Sequence, residues 1–151
     1  MKETQKEMVT SMNKRASISI ISAILISATA FTLAPSATAA SNVAAATYNG
    51  ACGSGYGVVN SMALTKGTVY LTYNSATGKN CVVTVRNSSG AALYMTAEVA
   101  VADTYPNSNV QDVGFYTSYA GPVYVNAAGK CVAWGGNIDY SGRWNGRSNC
   151  G

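Results

Sequence analysis

Histidine is absent from all 151 residues of the sequence. A Ser/His/Asp triad, a Cys/His pair and a zinc site with histidine ligands are therefore excluded. Charge is also sparse, because Asp, Glu, Lys and Arg make up only 11% of the chain. Residues 40–151 carry six basic and four acidic side chains, and this net charge of +2 is too small to predict a nucleic-acid partner.

Carboxylates are few as well, since after residue 40 they are only Glu98, Asp103, Asp112 and Asp139. Glycoside hydrolysis needs two carboxyl groups that flank the scissile bond. Glu98 and Asp103 are five residues apart, an odd offset that places them on opposite faces of a continuous strand. Asp103 and Asp112 are the best remaining pair for a weak glycan hydrolase. We expect these acids to solvate loops and strand faces instead, and we predict no catalytic residue.

Motifs for metals and cofactors are missing too. The four cysteines lie far apart in sequence, so they do not contain the close Cys pair of a typical zinc site. Residues 139–142 offer one acid where a calcium loop needs several. The glycine-rich run 53–57 departs from the spacing of phosphate-binding loops, and we interpret it as a turn. We predict no metal site and no cofactor.

The first 39 residues predict a secretory signal peptide. Lys14 and Arg15 precede an uncharged, apolar-rich run that ends at Pro35, and small residues follow at positions 37 and 39. This order predicts cleavage after Ala39 and a secreted protein without membrane attachment after cleavage. A membrane anchor is the alternative, but six Ser and Thr residues dilute the run and no basic cluster follows it. Met12 is an alternative start, because it lies just before Asn13 and the basic pair.

Four cysteines follow the predicted cleavage site: Cys52, Cys81, Cys131 and Cys150. An even number of cysteines in a small exported chain predicts two disulfides. Of the three pairings, we favour Cys52 with Cys81 and Cys131 with Cys150, because each would tie a terminal loop to a strand within one half of the sequence. Each bridge would then contribute about 3–4 kcal/mol to the free energy of unfolding.

The sequence predicts one all-β domain over residues 48–151, after a flexible lead-in over residues 40–47. Residues 68–73 and 80–86 are rich in β-branched and aromatic side chains, and turn-forming residues 74–78 lie between them. This pattern is typical of a β-hairpin.

Two further segments extend the all-β prediction. Residues 121–125 and 131–134 repeat the hairpin plan, with Gly135-Gly136 ending the second strand and a loop-like tail running to residue 151. Residues 93–101 could form a strand or a short helix, because Ala, Met and Glu favour helix. We expect a strand, because neighbouring strands would pair with it and its apolar and polar side chains alternate as in a half-buried strand. We therefore expect a small, disulfide-stapled antiparallel sandwich or barrel.

Tyrosine is abundant, and all ten tyrosines follow residue 40. The ring can pack while its hydroxyl stays hydrogen-bonded, so tyrosine serves both small β-cores and contact surfaces. We assign Trp134 to the core. A glycine-rich segment near the end of the chain supplies a candidate surface contact for sugar rings or an anionic polymer, formed by Tyr140, Arg143, Trp144 and Arg147. The alternative is that Trp144 covers the Cys131–Cys150 bridge.

Several long blocks of the chain closely resemble the spore-associated protein A family of Streptomyces and related actinobacteria. The blocks are Tyr48–Tyr56, Leu71–Arg86, Tyr116–Val125 and Cys131–Gly136. The resemblance implies an exported protein found with the spore or cell surface, without an established biochemical role. It transfers no catalytic residue.

Three hypotheses follow for the function. The first is a secreted, non-enzymatic protein that associates with the spore or cell surface and has a cell-wall or spore-surface polymer as its partner. The second is a small carbohydrate-binding module for cell-wall or chitin-like glycan. The third is an inhibitor of secreted proteases, although the sequence contains no feature that marks a reactive loop.

Overall fold

A computed structural model describes residues 44–151, and the predicted signal peptide with its cleavage site lies outside these residues. The described chain has eight strands: β1 (Gly57–Leu64), β2 (Gly67–Asn74), β3 (Lys79–Arg86), β4 (Leu93–Val101), β5 (Val110–Tyr116), β6 (Tyr119–Asn126), β7 (Val132–Ile138) and β8 (Ser141–Ser148). A single turn of 3₁₀ helix, Ala102–Thr104, separates β4 from β5. Within residues 44–151, no helix has the length and apolar character needed to cross a membrane.

The strands form two four-stranded antiparallel sheets. Sheet 1 has the order β1-β2-β3-β6, and sheet 2 has the order β5-β4-β7-β8. The two sheets pack face to face around one core, which confirms the all-β prediction and selects the sandwich over the barrel.

The predicted hairpin over residues 68–86 is confirmed as β2 and β3. Asn74 lies opposite Lys79 at its turn end, where the Asn74 Oδ1 accepts the N–H groups of Ala76 and Thr77 at 3.0 and 3.2 Å. Strand β4 confirms the predicted alternation, because Met95, Ala97 and Val99 are buried while the intervening side chains are not.

The predicted second hairpin is wrong. Strand β6 pairs with β3 in sheet 1, whereas β7 lies between β4 and β8 in sheet 2. Residues 127–130 therefore cross from one sheet to the other. The turn residues in this segment are compatible with either connection, so local sequence does not decide whether two successive strands pair or pack face to face.

Gly135-Gly136 was expected to end a strand, and this is also wrong, because β7 continues to Ile138 and the predicted tail forms β8. A Cβ atom on Gly136 would lie 2.1 Å from the Thr84 Oγ1 and 2.7 Å from the Thr96 carbonyl oxygen. These two atoms form a hydrogen bond of 2.7 Å between the sheets. Glycine is therefore required here by the close approach of the sheets, and not by a turn.

The core lies between the inner faces of the sheets. Trp134 is fully buried, as predicted, and its Nε1 donates to the Ser148 Oγ at 2.9 Å. The other large side chains of this core that are fully buried are Val69, Leu71, Val82, Met95, Val99, Val132 and Ile138.

Two disulfides, Cys52–Cys81 and Cys131–Cys150, join the favoured pairs, with Cα–Cα distances of 6.1 and 3.9 Å. The first attaches the segment before β1 to the centre of sheet 1. The second attaches the end of the chain to the start of β7.

Residues 44–56, here called the cover segment, pack on the outer face of sheet 1. Ala46 is only 7% exposed, its N–H donates to the Asn87 Oδ1 at 2.9 Å, and its carbonyl accepts the Tyr70 hydroxyl. The cover segment and the sheet together form a second small apolar cluster around Cys52, Cys81, Val83 and Val85, with tyrosines 48, 56, 70 and 124 packed against it. Much of the chain's tyrosine is therefore structural.

Candidate functional site

The outer faces of the two sheets differ in their exposure. The cover segment packs on the outer face of sheet 1, and the large apolar side chains of this sheet that stay exposed, Val58, Val59 and Tyr119, lie on its two edge strands. The outer face of sheet 2 instead exposes large apolar side chains, and Phe115 is the most exposed of them at 73%. We call this surface the aromatic face and define it by Tyr94, Tyr105, Val113, Phe115 and Trp144.

The pairing of β4 with β5 places two of these rings together. Alternate residues of a strand point to opposite faces, so Tyr94 points outward while Met95 enters the core. Tyr94 lies directly opposite Phe115 in the register, and the two ring centroids are 5.9 Å apart at an interplanar angle of 71°. This edge-to-face arrangement is favourable for aromatic pairs and holds both rings in place.

A second pair of rings lies at the other side of the sheet. Trp144 on β8 is 40% exposed and lies opposite Gly135 on β7. A Cβ on Gly135 would be 2.5 Å from the Trp144 Cε3, so the absence of a side chain there lets the indole lie against the sheet. Tyr105 packs on Trp144 with ring centroids 5.2 Å apart. These neighbours fix the position of the indole.

A shallow cleft of about 250 Å³ lies beside Trp144. Thr96, Asn137 and Gly142 are paired in register across three adjacent strands and line it, together with Glu98 and Arg143. The missing side chain of Gly142 leaves room over the Asn137 amide, because a Cβ there would lie 2.9 Å from the Asn137 Nδ2. The Asn137 Oδ1 is buried and has no hydrogen-bond partner among the described residues.

The charged groups near this face divide into paired and unpaired ones. Arg147 forms an ion pair with Asp103 at the surface, and Lys66 forms another with Asp139 at 2.5 Å. Within residues 44–151, neither Glu98 nor Arg143 has an ion-pair partner. The Glu98 side chain lies on the outer face of sheet 2 and brings one carboxylate, a hydrogen-bond acceptor, to the cleft. Arg143 lies opposite Gly136, whose Cβ position faces the core, so its side chain leaves β8 on the other side from Trp144.

The predicted surface contact is only partly brought together. Trp144 and Arg143 line the cleft, whereas Tyr140 is 99% exposed at the tip of the β7–β8 hairpin and Arg147 is held by Asp103. The sequence alone does not predict the other residues of the aromatic face and the cleft: Tyr94, Thr96, Glu98, Tyr105, Val113, Phe115, Asn137 and Gly142. The alternating apolar residues Val113 and Phe115 were the signal that could have indicated it.

The two acids considered for hydrolysis have structural partners. Asp112 accepts the Tyr116 hydroxyl at Oδ1 and the Gly121 N–H at Oδ2, the latter at 2.7 Å. Asp103 is paired with Arg147. Among residues 44–151, no three Cys, Asp or Glu side chains cluster as ligands of a metal would.

The contact between Tyr116 and Asp112 predicts a dependence of stability on pH. Its hydrogen bond, desolvation and the Asp112 charge all raise the pKa of Tyr116 above its ordinary value. Because this pKa is raised in the folded state, the hydrogen bond stabilises the fold fully at pH values below the ordinary tyrosine pKa of about 10. Its contribution to the free energy of unfolding is lost as the pH rises through the raised pKa. The free energy of unfolding of Tyr116→Phe should therefore fall below that of the wild type at pH 7, and the gap should close in strongly alkaline solution.

Urea unfolding from pH 7 to pH 11 tests this expectation. Tyr140→Phe is the matched control, because Tyr140 is almost fully exposed and makes no hydrogen bond through its hydroxyl in the described structure. A gap between wild type and Tyr116→Phe that is constant over the whole pH range would contradict the assigned hydrogen bond.

The fold and the site together define a disulfide-bonded β-sandwich with one covered face and one open aromatic face. Spore-associated protein A of Streptomyces coelicolor is 58% identical to this chain over 119 residues, which cover 78% of this chain and 76% of that protein. The chain belongs to the spore-associated protein A family, and the resemblance noted in the sequence is confirmed. No protein-family model matches the chain. No solved structure matches it either.

Proposed function

We propose that this protein is exported and attaches, without catalytic activity, to the spore surface through its aromatic face. The relative at 58% identity is named for its association with spores, and the family carries that association to this chain. The single observation behind the choice of surface is the asymmetry of the sandwich. One outer face is covered by the chain's own residues 44–56, and the other exposes Tyr94, Phe115 and Trp144.

The composition of the aromatic face supports a role in contact. Contiguous exposed apolar side chains on a small protein mark interaction sites, because they are otherwise costly to leave in water. Aromatic rings bury a large area and lose little conformational entropy on binding. The rings here are already fixed by pairing, Tyr94 with Phe115 and Tyr105 with Trp144. Binding through them would therefore require little reorganisation.

The proposed export is supported by two features of different origin. The N-terminal 39 residues have the charge and hydropathy order of a signal peptide. The described residues contain two disulfides and no free cysteine, as is typical of proteins in oxidising compartments outside the cytoplasm.

The absence of catalysis is supported by the side chains present. The chain has no histidine, Asp112 is engaged by Tyr116 and Gly121, and Asp103 is paired at the surface. Glu98 is the single carboxylate in the cleft, whereas glycoside hydrolysis employs two.

Retention on spores tests the proposal. Fluorescently labelled protein is incubated with washed Streptomyces spores, and the bound fraction is measured after further washing. Phe115→Ser should lower retention at least fivefold, because it removes the most exposed ring of the aromatic face without opening the core. Tyr119→Ser is the control, since Tyr119 is 39% exposed and lies on β6 in sheet 1. The proposal would be abandoned if Phe115→Ser bound like the wild type.

A further inference from the structure

Building on the proposed function, we infer that the cleft beside Trp144 is a subsite for one sugar residue of an uncharged polysaccharide. Two properties of the cleft support this subsite: a fixed indole at its wall, and polar groups on its floor that include one carboxylate. Thr96, Glu98, Asn137 and Trp144 supply these properties.

The indole of Trp144 provides the apolar part of the subsite. A pyranose ring carries C–H groups on its faces and hydroxyl groups around its edge, so it binds well where a flat ring adjoins hydrogen-bonding groups. Trp144 leaves 40% of its surface exposed and is held between Gly135 and Tyr105. An indole fixed in this way forms a platform whose rotamer freedom is already restricted before a ligand binds.

The polar groups of the floor match the edge of a sugar. Each sugar hydroxyl both donates and accepts a hydrogen bond. The cleft offers the acceptor Glu98, and the Thr96 hydroxyl and the Asn137 amide, which both donate and accept. The Asn137 Oδ1 has no partner within residues 44–151. Because the Oδ1 has almost no exposed surface, the group of this amide that would meet a sugar hydroxyl is the Nδ2, over which Gly142 leaves room.

The charge of the cleft disfavours a polyanion. Glu98 lines the cleft and has no ion-pair partner among the described residues. A polyanion would meet this carboxylate at an energetic cost. An uncharged glycan, by contrast, can donate hydrogen bonds from its hydroxyls to it.

The aromatic face extends beyond one sugar residue. In the sheet register, Trp144 is level with Glu98 on β4, whereas Phe115 is level with Tyr94, four residues further along the strand. This offset corresponds to about 13 Å along the strand direction. The Tyr94–Phe115 pair would therefore contact a sugar further along the same chain, and binding should strengthen with oligosaccharide length.

Calorimetric titration tests the inference with two neutral probes, the hexamers of β-1,4-linked N-acetylglucosamine and of β-1,4-linked glucose. Binding of at least one hexamer is expected, with at least tenfold weaker binding by Trp144→Ala and several-fold weaker binding by Glu98→Gln. Tyr119→Ala is the matched control, since its exposure of 39% equals that of Trp144 within one per cent and it lies on sheet 1. Thermal unfolding of each variant verifies that the fold is retained.

Two outcomes would overturn the inference. One is that neither hexamer binds to the wild type. The other is that a polyanion such as dextran sulfate binds more tightly than both hexamers at physiological salt, which would indicate a charge-driven site. If spore retention still depends on Phe115 while both hexamers fail to bind, the sugar subsite is wrong and the proposed attachment through the aromatic face stands. If spore retention is independent of the face, the proposed function itself fails.

Discussion

Replacing Trp134 with alanine should lower the free energy of unfolding by about 3–5 kcal/mol. The indole is fully buried between the two sheets, and it is the largest of the fully buried side chains of the described structure. Its removal leaves a cavity that the surrounding β-strands can fill only in part. The Ser148 hydroxyl also loses the hydrogen bond from the Trp134 Nε1. Urea denaturation followed by far-ultraviolet circular dichroism measures the loss.

Trp144→Ala is the matched control for this substitution. The two indoles are on neighbouring strands, but Trp144 points outward and is 40% exposed. Its replacement should therefore cost much less stability than that of Trp134. Equal losses for the two variants would contradict the assignment of Trp134 to the inside and Trp144 to the outside.

Replacing both Cys52 and Cys81 with serine should lower the free energy of unfolding by about 3–4 kcal/mol in the chain-entropy account of disulfides. The bridge closes a loop with a sequence separation of 29 residues. Its loss also removes the covalent attachment of the cover segment, which packs Ala46 and Cys52 against sheet 1. We expect this segment to detach locally and to become the first site of proteolytic cleavage.

Limited proteolysis and denaturant unfolding of the double variant measure these two effects. The variant that replaces Cys131 and Cys150 serves as the control, because it opens a loop of similar size, with a separation of 19 residues, at the other end of the chain. That control should lose a comparable amount of the free energy of unfolding, but its residues 44–56 should stay protected from proteolysis. Early cleavage of the cover segment in both variants, or in neither, would contradict the role assigned to Cys52–Cys81.

The sequence predicts those parts of the fold that depend only on residues close together in the chain. The β2–β3 hairpin was predictable because Asn74 and Gly78 supply a turn between two β-branched segments. The placement of β6 and β7 in different sheets was not predictable from local sequence, because β6 pairs with β3 and β7 pairs with β4, and both partners are distant in the sequence. The sequence predicts a strand end at Gly136, but glycine is required there by the approach of Thr84 from the opposite sheet, which local sequence does not show.

The residues of the site also divide into those that local sequence predicts and those that only strand pairing brings together. Trp144 was recognised from its glycine-rich surroundings, whereas Tyr94 and Phe115 become neighbours only through the β4–β5 pairing. Strand β5 itself was missed, because Asp112 and Gly114 lower its β-propensity. The Asp112 carboxylate is tolerated there because Tyr116 and Gly121 hydrogen-bond to it. Only the folded chain shows that the outer face of sheet 2 is left open.

Hydroxyl-radical footprinting of the spore-bound protein tests most directly whether the aromatic face is the surface of attachment. Oxidation is compared between free protein and protein retained on washed spores, and the modified residues are located by mass spectrometry. We expect strong protection of Tyr94, Phe115 and Trp144 and unchanged oxidation of Tyr119 on sheet 1. Protection of Tyr119 with unchanged oxidation of Phe115 and Trp144 would contradict this expectation.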